Sequence, residues 1–262
     1  MTPFFFGESD HQLYGVLHPV HSKMKKNASV LLCNAFGQEY MRSHRAFRQL
    51  AMMLTKQGYD VLRFDYRGTG DSALNLDQVN AKTWIEDVNV AIDELKDISA
   101  VSNIHIVGLR LGGLIAASAS AGRNDIASIN LWDSVTSGDK YIDELRSELT
   151  DEHTPEDNGE LNSNYQDSLG VINFNGFALN QKMQKSLKEL NIENMDLSKI
   201  KIIRNIISHE SQNSESFIEV MRHRNNFQSD LIEAPHDWNY VDKYGGILLP
   251  QPIIQGVVNC LS

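Results

Sequence analysis

The stretch with the clearest chemical potential is Gly108-Leu109-Arg110-Leu111-Gly112. Ile104 to Val107 before it is apolar and β-branched, which predicts a buried strand. Leu111 to Ala121 after it is rich in Ala, Leu and Gly and nearly uncharged, which predicts a helix packed in the interior. Arg110 therefore stands at the head of a buried helix. Free backbone N–H groups and the helix dipole favour anions there. A guanidinium adds a bidentate receptor for carboxylate or phosphate. It stays protonated, so it is no nucleophile for acyl transfer. The other use of Arg110 is an internal ion pair that holds the turn, with Asp133, just past a strand ending at Trp132, as partner. The two uses are not exclusive.

Other reactive side chains offer less. Cys33 ends a strand and reads as a small buried residue, and Cys260 as packing in the last helix. Two cysteines make neither a disulfide framework nor a metal spacing. His209 and His223 are scattered, so no metal and no cofactor are expected. Arg42, His44 and Arg45 read as a solvated helix start rather than a second anion patch. Ser134, Ser137 and Ser211 lie near strand ends without a glycine turn around them.

The elements that position these residues alternate. Strands are expected at Leu13–His18, Ala28–Cys33, Val61–Asp65, Ile104–Val107 and Ile126–Trp132, and helices at His44–Gln57 and Trp84–Leu95. Ser22 to Asn27 reads as a charged turn and Asn34 to Glu39 as a loop. Such alternation is the pattern of a mostly parallel, doubly wound α/β sheet. From Ser137 to about Lys199 the chain turns polar, with a loop-like centre at Thr150 to Gln166 and a helix at Gln181 to Leu190. It is read as an inserted helical cap (137–199) above a core made of 1–136 and 200–262. A strand to Ile207, a helix at Glu215–Arg222, a strand at Asp230–Ala234 and a helix at Pro250–Leu261 complete the core. The 262 residues suit one large domain, and 41% hydrophobic with 22% charged residues is an ordinary globular composition. A net charge of −10 argues against a nucleic-acid partner. No apolar run approaches the roughly 18–20 residues of a membrane span. The aromatic start, Met1 to Gly7, is too short for a signal peptide, so a reduced, cytoplasmic protein is expected.

Three stretches carry a resemblance: Asn34-Ala35-Phe36-Gly37-Gln38-Glu39-Tyr40-Met41-Arg42-Ser43-His44-Arg45, Leu62-Arg63-Phe64-Asp65-Tyr66-Arg67-Gly68-Thr69-Gly70-Asp71-Ser72, and Val107 to Gly113. With them the chain resembles the α/β-hydrolase superfamily over almost its whole length. It is similar to the serine-aminopeptidase-like branch, and within it to exosortase-A-system-associated, biosynthetic-cluster hydrolases. The superfamily's elbow reads Gly-x-Ser-x-Gly, and Arg110 fills its serine position. The resemblance implies an α/β-hydrolase fold and further roles, each still open. His236, after the last expected strand, matches the general base. The acid is Glu210, after the strand ending at Ile207, or Asp133. Asn34, Phe36, Gly37 and Gln38 match the oxyanion loop, with Gln38 or Glu39 facing the pocket. Leu109 and Leu111 flank Arg110 there. The activity implied is an atypical one on an acyl compound, an ester or thioester of a biosynthetic pathway, without a serine acyl-enzyme. The alternatives are an inactive fold that binds an acidic small molecule or carrier-protein arm, or a partner subunit whose pocket is closed by an ion pair.

Overall fold

The computed structural model describes residues 1–21, 25–150, 165–166, 170–174, 176–238 and 248–261. Its frame is an eight-stranded sheet in the order β1-β2-β4-β3-β5-β6-β10-β11. The strands are β1 (Thr2–Phe6), β2 (Leu13–His18), β3 (Ser29–Cys33), β4 (Asp60–Phe64), β5 (Ile104–Leu109), β6 (Ile126–Trp132), β10 (Ile202–Ile207) and β11 (Phe227–Leu231). Only β2 runs against the rest: β1 and β4 pair with it antiparallel, and every other pairing is parallel.

Alternation along the central strands separates two cores. Val30 and Leu32 of β3, with Val107 and Leu109 of β5, face α1 (Gly37–Lys56) and α7 (Gln251–Leu261). Leu31 and Cys33, with Ile104 and Ile106, face α2 (Ala81–Ser99) and α3 (Leu111–Ser120). Burial on both faces explains why these strands read as short unbroken apolar runs. The α2 helix starts ahead of its apolar stripe because the Asn80 side chain accepts from the backbone N–H groups of Lys82 and Thr83.

Three boundaries depart from expectation. Helix α1 begins at Gly37, not near His44, so half of the expected Asn34–Glu39 loop is helix. Gly37 makes the turn with φ 61°, and the Phe177 ring lies 3.3 Å from where a Cβ would stand. Strand β1 was not foreseen, and it forms by hairpin pairing to β2. Strand β11 sits at Phe227–Leu231 rather than Asp230–Ala234, an edge strand whose side chains are mostly exposed and carry no apolar run.

Between β6 and β10 the chain forms α4 (Gly138–Thr150), a small antiparallel sheet of β7 (Tyr165–Gln166), β8 (Ile172–Phe174) and β9 (Phe177–Leu179), and α5 (Gln181–Lys188). Tyr141, Ile142 and Leu145 bury one face of α4, and Met183 and Leu187 bury one face of α5. The centre of the expected loop, 151–164, and part of the turn at 22–27 lie outside the described residues. Among the described residues no helix is long and apolar enough to cross a membrane.

Two histidines inside the sheet are held neutral. His18 Nε2 accepts from Arg63 Nε at 3.0 Å, which needs an unprotonated ring. Burial, then Arg63, pulls its pKa down to about 4. Burial does the same to His105, which sits 2.7 Å from the Ser128 hydroxyl and is also at about 4. Below the ordinary imidazole value the unfolded chain takes up protons that these native rings refuse, so their contribution to stability is lost as pH falls from 6.5 through about 4. Denaturant midpoints measured across that window should fall for the wild type. They should fall less steeply for His18→Gln, which keeps an acceptor for Arg63 and does not titrate. Equal slopes would place the titration elsewhere.

Candidate functional site

The elbow is a strained strand-to-helix turn. Arg110 adopts φ 50° and ψ −123°, a region that side-chain-bearing residues rarely enter, at a cost of about 1–3 kcal/mol. Neighbouring backbone over-determines it. The Arg110 N–H donates to Trp132 O at 3.1 Å, and its carbonyl accepts from the N–H groups of Gly113 (3.0 Å) and Val135 (3.1 Å). Close approach of α3 to the β3 end completes the fit, because a Cβ on Gly112 would lie 2.2 Å from Asn34 O. The Asn34 amide is committed to structure too, donating to Phe64 O at 2.7 Å. Phe36 is buried against Trp84 and Phe177, with ring centroids 5.6 and 5.9 Å apart. Leu109 and Leu111 are buried in the core, and Gln38 is half-buried beside Gly37.

The guanidinium is gripped by two carboxylates. Arg110 Nε donates to Glu39 Oε1 at 2.7 Å, and Nη2 donates to Glu144 Oε1. Glu39 comes from the first turn of α1 and its side chain is 1% exposed; Glu144 comes from α4 and is 40% exposed. Burial opposes the charge on Arg110, but Glu39 and then Glu144 more than offset it and hold the guanidinium above its ordinary range. The expected ion pair with Asp133 is not what forms. Nη1 reaches only the Asp133 carbonyl, at 3.5 Å.

The Asp133 carboxylate is turned the other way. It accepts from Ser208 N and Ser208 Oγ, both at 2.7 Å, and from Trp238 Nε1 at 3.2 Å. It thus ties the end of β6 to the end of β10 and to the chain beyond β11. That clamp brings two rings together: His209 and His236 stack in parallel with centroids 3.8 Å apart. Burial, then His236 and Arg110, hold His209 below the ordinary imidazole range, with Asp133 pulling the other way. His236 is exposed, and its Nδ1 lies 3.4 Å from Ala234 O. Glu210 is exposed past β10. Among the described residues no hydrogen bond joins the His236 ring to Asp133 or to Glu210; the Ser208 hydroxyl that donates to Asp133 lies 3.4 Å from His209 Nδ1 instead.

Cys33 is buried, and burial pushes its thiol up to about 12, which removes it as a nucleophile. Arg42 is buried, not part of a solvated helix start as expected, because α1 begins five residues before it. Among the described residues no group of three His, Cys, Asp or Glu is placed to hold a metal. Glu144, Ser208 and Trp238 were not singled out in the sequence. Glu144 had one faint signal, its place beside the buried positions of an amphipathic helix.

The strand order, the single reversed strand and the strained turn after β5 decide the architecture. The fold is that of the α/β hydrolases. Residues 24–131 match the family model described as serine aminopeptidase, S33. Among solved structures the chain is similar to Est1E of Butyrivibrio proteoclasticus with ferulic acid bound. That match has 15% identity and a TM-score of 0.67, over 98% of this chain and 96% of that one. It is similar to α/β hydrolase domain-containing protein 10 of mouse at 15% identity and TM-score 0.63, over 100% and 97%. It is also similar to the proline iminopeptidase of Mycobacterium smegmatis at 11% identity and TM-score 0.66, over 99% and 97%. No curated protein sequence matches the chain. It is a hydrolase-fold protein whose structural likenesses include esterases and peptidases.

Removing the guanidinium takes away the cation that the buried Glu39 shares with Glu144. Arg110→Ala is expected to cost about 3–5 kcal/mol of stability, the range for breaking a buried pair. Adding Glu39→Gln should recover much of that loss, and adding Asp133→Ala should not. Urea melts of the single and double variants read this. Recovery with Asp133→Ala in place of Glu39→Gln would reverse the assignment.

Proposed function

We propose that this hydrolase-fold protein binds a carboxylate-bearing acyl compound at the elbow and does not process it through a seryl acyl-enzyme. One observation carries the reading. The side chain that the strained turn presents is a guanidinium set between two carboxylates, at the head of a buried helix. That is an anion receptor and not a nucleophile. The likeness of the Asn34–Arg45 and Gly108–Gly112 stretches to exosortase-A-system-associated hydrolases supports a ligand from a biosynthetic pathway. In this reading the segment 137–199 is the cap over the site, since α4 reaches down to Arg110 through Glu144. The protein works in a reduced cytoplasm, with Cys33 and Cys260 as free thiols.

A second reading has its own support. His209, held below the ordinary imidazole range by burial, stacks on His236 near the elbow, which places an imidazole to activate a water molecule against a bound acyl group. Turnover of an ester and thioester panel that is lost in His236→Ala would favour it. In the first reading the same panel is bound without turnover.

A fluorophosphonate serine-hydrolase probe is expected to leave the protein unmodified, as read by intact mass. Stoichiometric labelling of any serine would overturn the reading. Arg110→Ser is expected to remain without efficient esterase activity, because the carboxylate of Asp133 is committed to Ser208 and Trp238 and, among the described residues, makes no hydrogen bond to the His236 ring. Robust hydrolysis by that variant would show the base already aligned.

A further inference from the structure

We infer that the segment between β6 and β10 carries an anion site of its own, an open cavity between α4 and α5 that takes the phosphate of a small phosphomonoester. The site does not rest on the reading of the elbow. Arg146 lies two residues beyond Glu144 on α4, a turn of roughly 200° around the helix axis, so it faces α5 and not Arg110.

The cavity measures about 570 Å³, and four of the residues that line it are cations: Arg146, Lys182, Lys185 and Lys188. Its volume is in the range of small-molecule sites, about 300–1,000 Å³. Lys185 and Lys188 share the outward face of α5 with Gln184, while Met183 and Leu187 bury the opposite face. The helix is pinned against α2, because the Ser186 hydroxyl accepts from Ala81 N at 2.9 Å. Gln184 then orients the arginine. Its Nε2 donates to the carbonyls of Gly170 (2.8 Å) and Leu179 (2.7 Å), which leaves Oε1 to accept from Arg146 Nη2 at 3.2 Å. The other N–H groups of Arg146 make no hydrogen bond among the described residues. The wall thus holds a guanidinium fixed at one corner with donors to spare.

Charge names the ligand. The chain carries −10 overall, yet these cations stand together. Asp139 lies 3.1 Å from Lys188 Nζ and Asp143 lies 3.9 Å from Arg146 Nη1, and both aspartates are exposed. Lys182 and Lys185 have no ion-pair partner among the described residues, so two positive charges at the cavity are uncompensated. A phosphomonoester brings about −1.5 to −2 at pH 7 on three acceptor oxygens, which matches them. A carboxylate or a sulfate ester, with a single charge, matches half. A lone phosphate is also far smaller than the cavity, which leaves room for the organic body that carries it.

Isothermal titration of the full chain with glucose 6-phosphate, glucose 6-sulfate and inorganic phosphate tests this. The wild type should bind glucose 6-phosphate more tightly than the other two probes. Lys182→Gln with Lys185→Gln should weaken that binding by about tenfold or more, through the loss of two charge-assisted contacts. Lys56→Gln with Lys201→Gln removes the same charge from exposed positions elsewhere and should change it by less than about twofold. Circular-dichroism melts confirm that each variant is folded, and Lys185→Gln alone replaces the first pair if that pair is not. No saturable binding of glucose 6-phosphate to the wild type, or an equal loss in both paired variants, would overturn the site. Equal affinity for the sulfate ester would overturn the match to a doubly charged group. Inorganic phosphate binding as tightly as glucose 6-phosphate would overturn the esterified ligand in favour of free phosphate.

Discussion

A carboxylate with almost no access to water needs a cation where it stands, and Glu39 obtains one from a residue 71 positions along the chain. Much of the site follows from that pairing. It needs α1 to begin as early as Gly37, so that its first turn reaches the elbow. It needs the strained backbone at Arg110, which aims the guanidinium at α1 rather than along α3. It needs the loop after β6 to hold that strain through the carbonyl of Arg110. Desolvation works against each charge alone, and the pairing offsets it.

The frame explains how an α/β-hydrolase fold accommodates an arginine at the turn after β5. Sheet order, elbow and two-sided core are demands of packing, and they leave the chemistry at the strand ends free to differ. In this chain the positions after β5, β6, β10 and β11 remain next to one another. Their polar groups are spent differently: the arginine on two glutamates, the aspartate on a serine and a tryptophan, the histidine on a second histidine.

The architecture was legible in the sequence because it depends on local patterns. β-branched runs mark β3, β5 and β6, glycines bracket the elbow, and helical spacing marks α1 and α2. The pairing of Arg110 was not legible. Asp133 was the nearer partner in sequence and followed a well-marked strand, but its side chain turns to Ser208 and Trp238, and no local pattern reports the direction of a side chain at a strand end. Glu144 lies in a polar helix whose register against the elbow is a tertiary fact. Strands β1 and β11 escaped for a simpler reason: edge strands bury little, so they carry little of the apolar signal that reveals their neighbours.

The order in which the contacts become available during synthesis differs sharply between the two acidic centres. Glu39 leaves the ribosome before Arg110, and Glu144 follows Arg110 by only 34 residues, so the cation cluster can close while the C-terminal third is still unmade. The Asp133 carboxylate waits for Ser208, 75 residues on, and for Trp238, 105 residues on. Until then it stays hydrated at the open end of β6, since its native donors do not yet exist. Vectorial synthesis therefore makes the partners of the elbow available first and those of the histidine pair last.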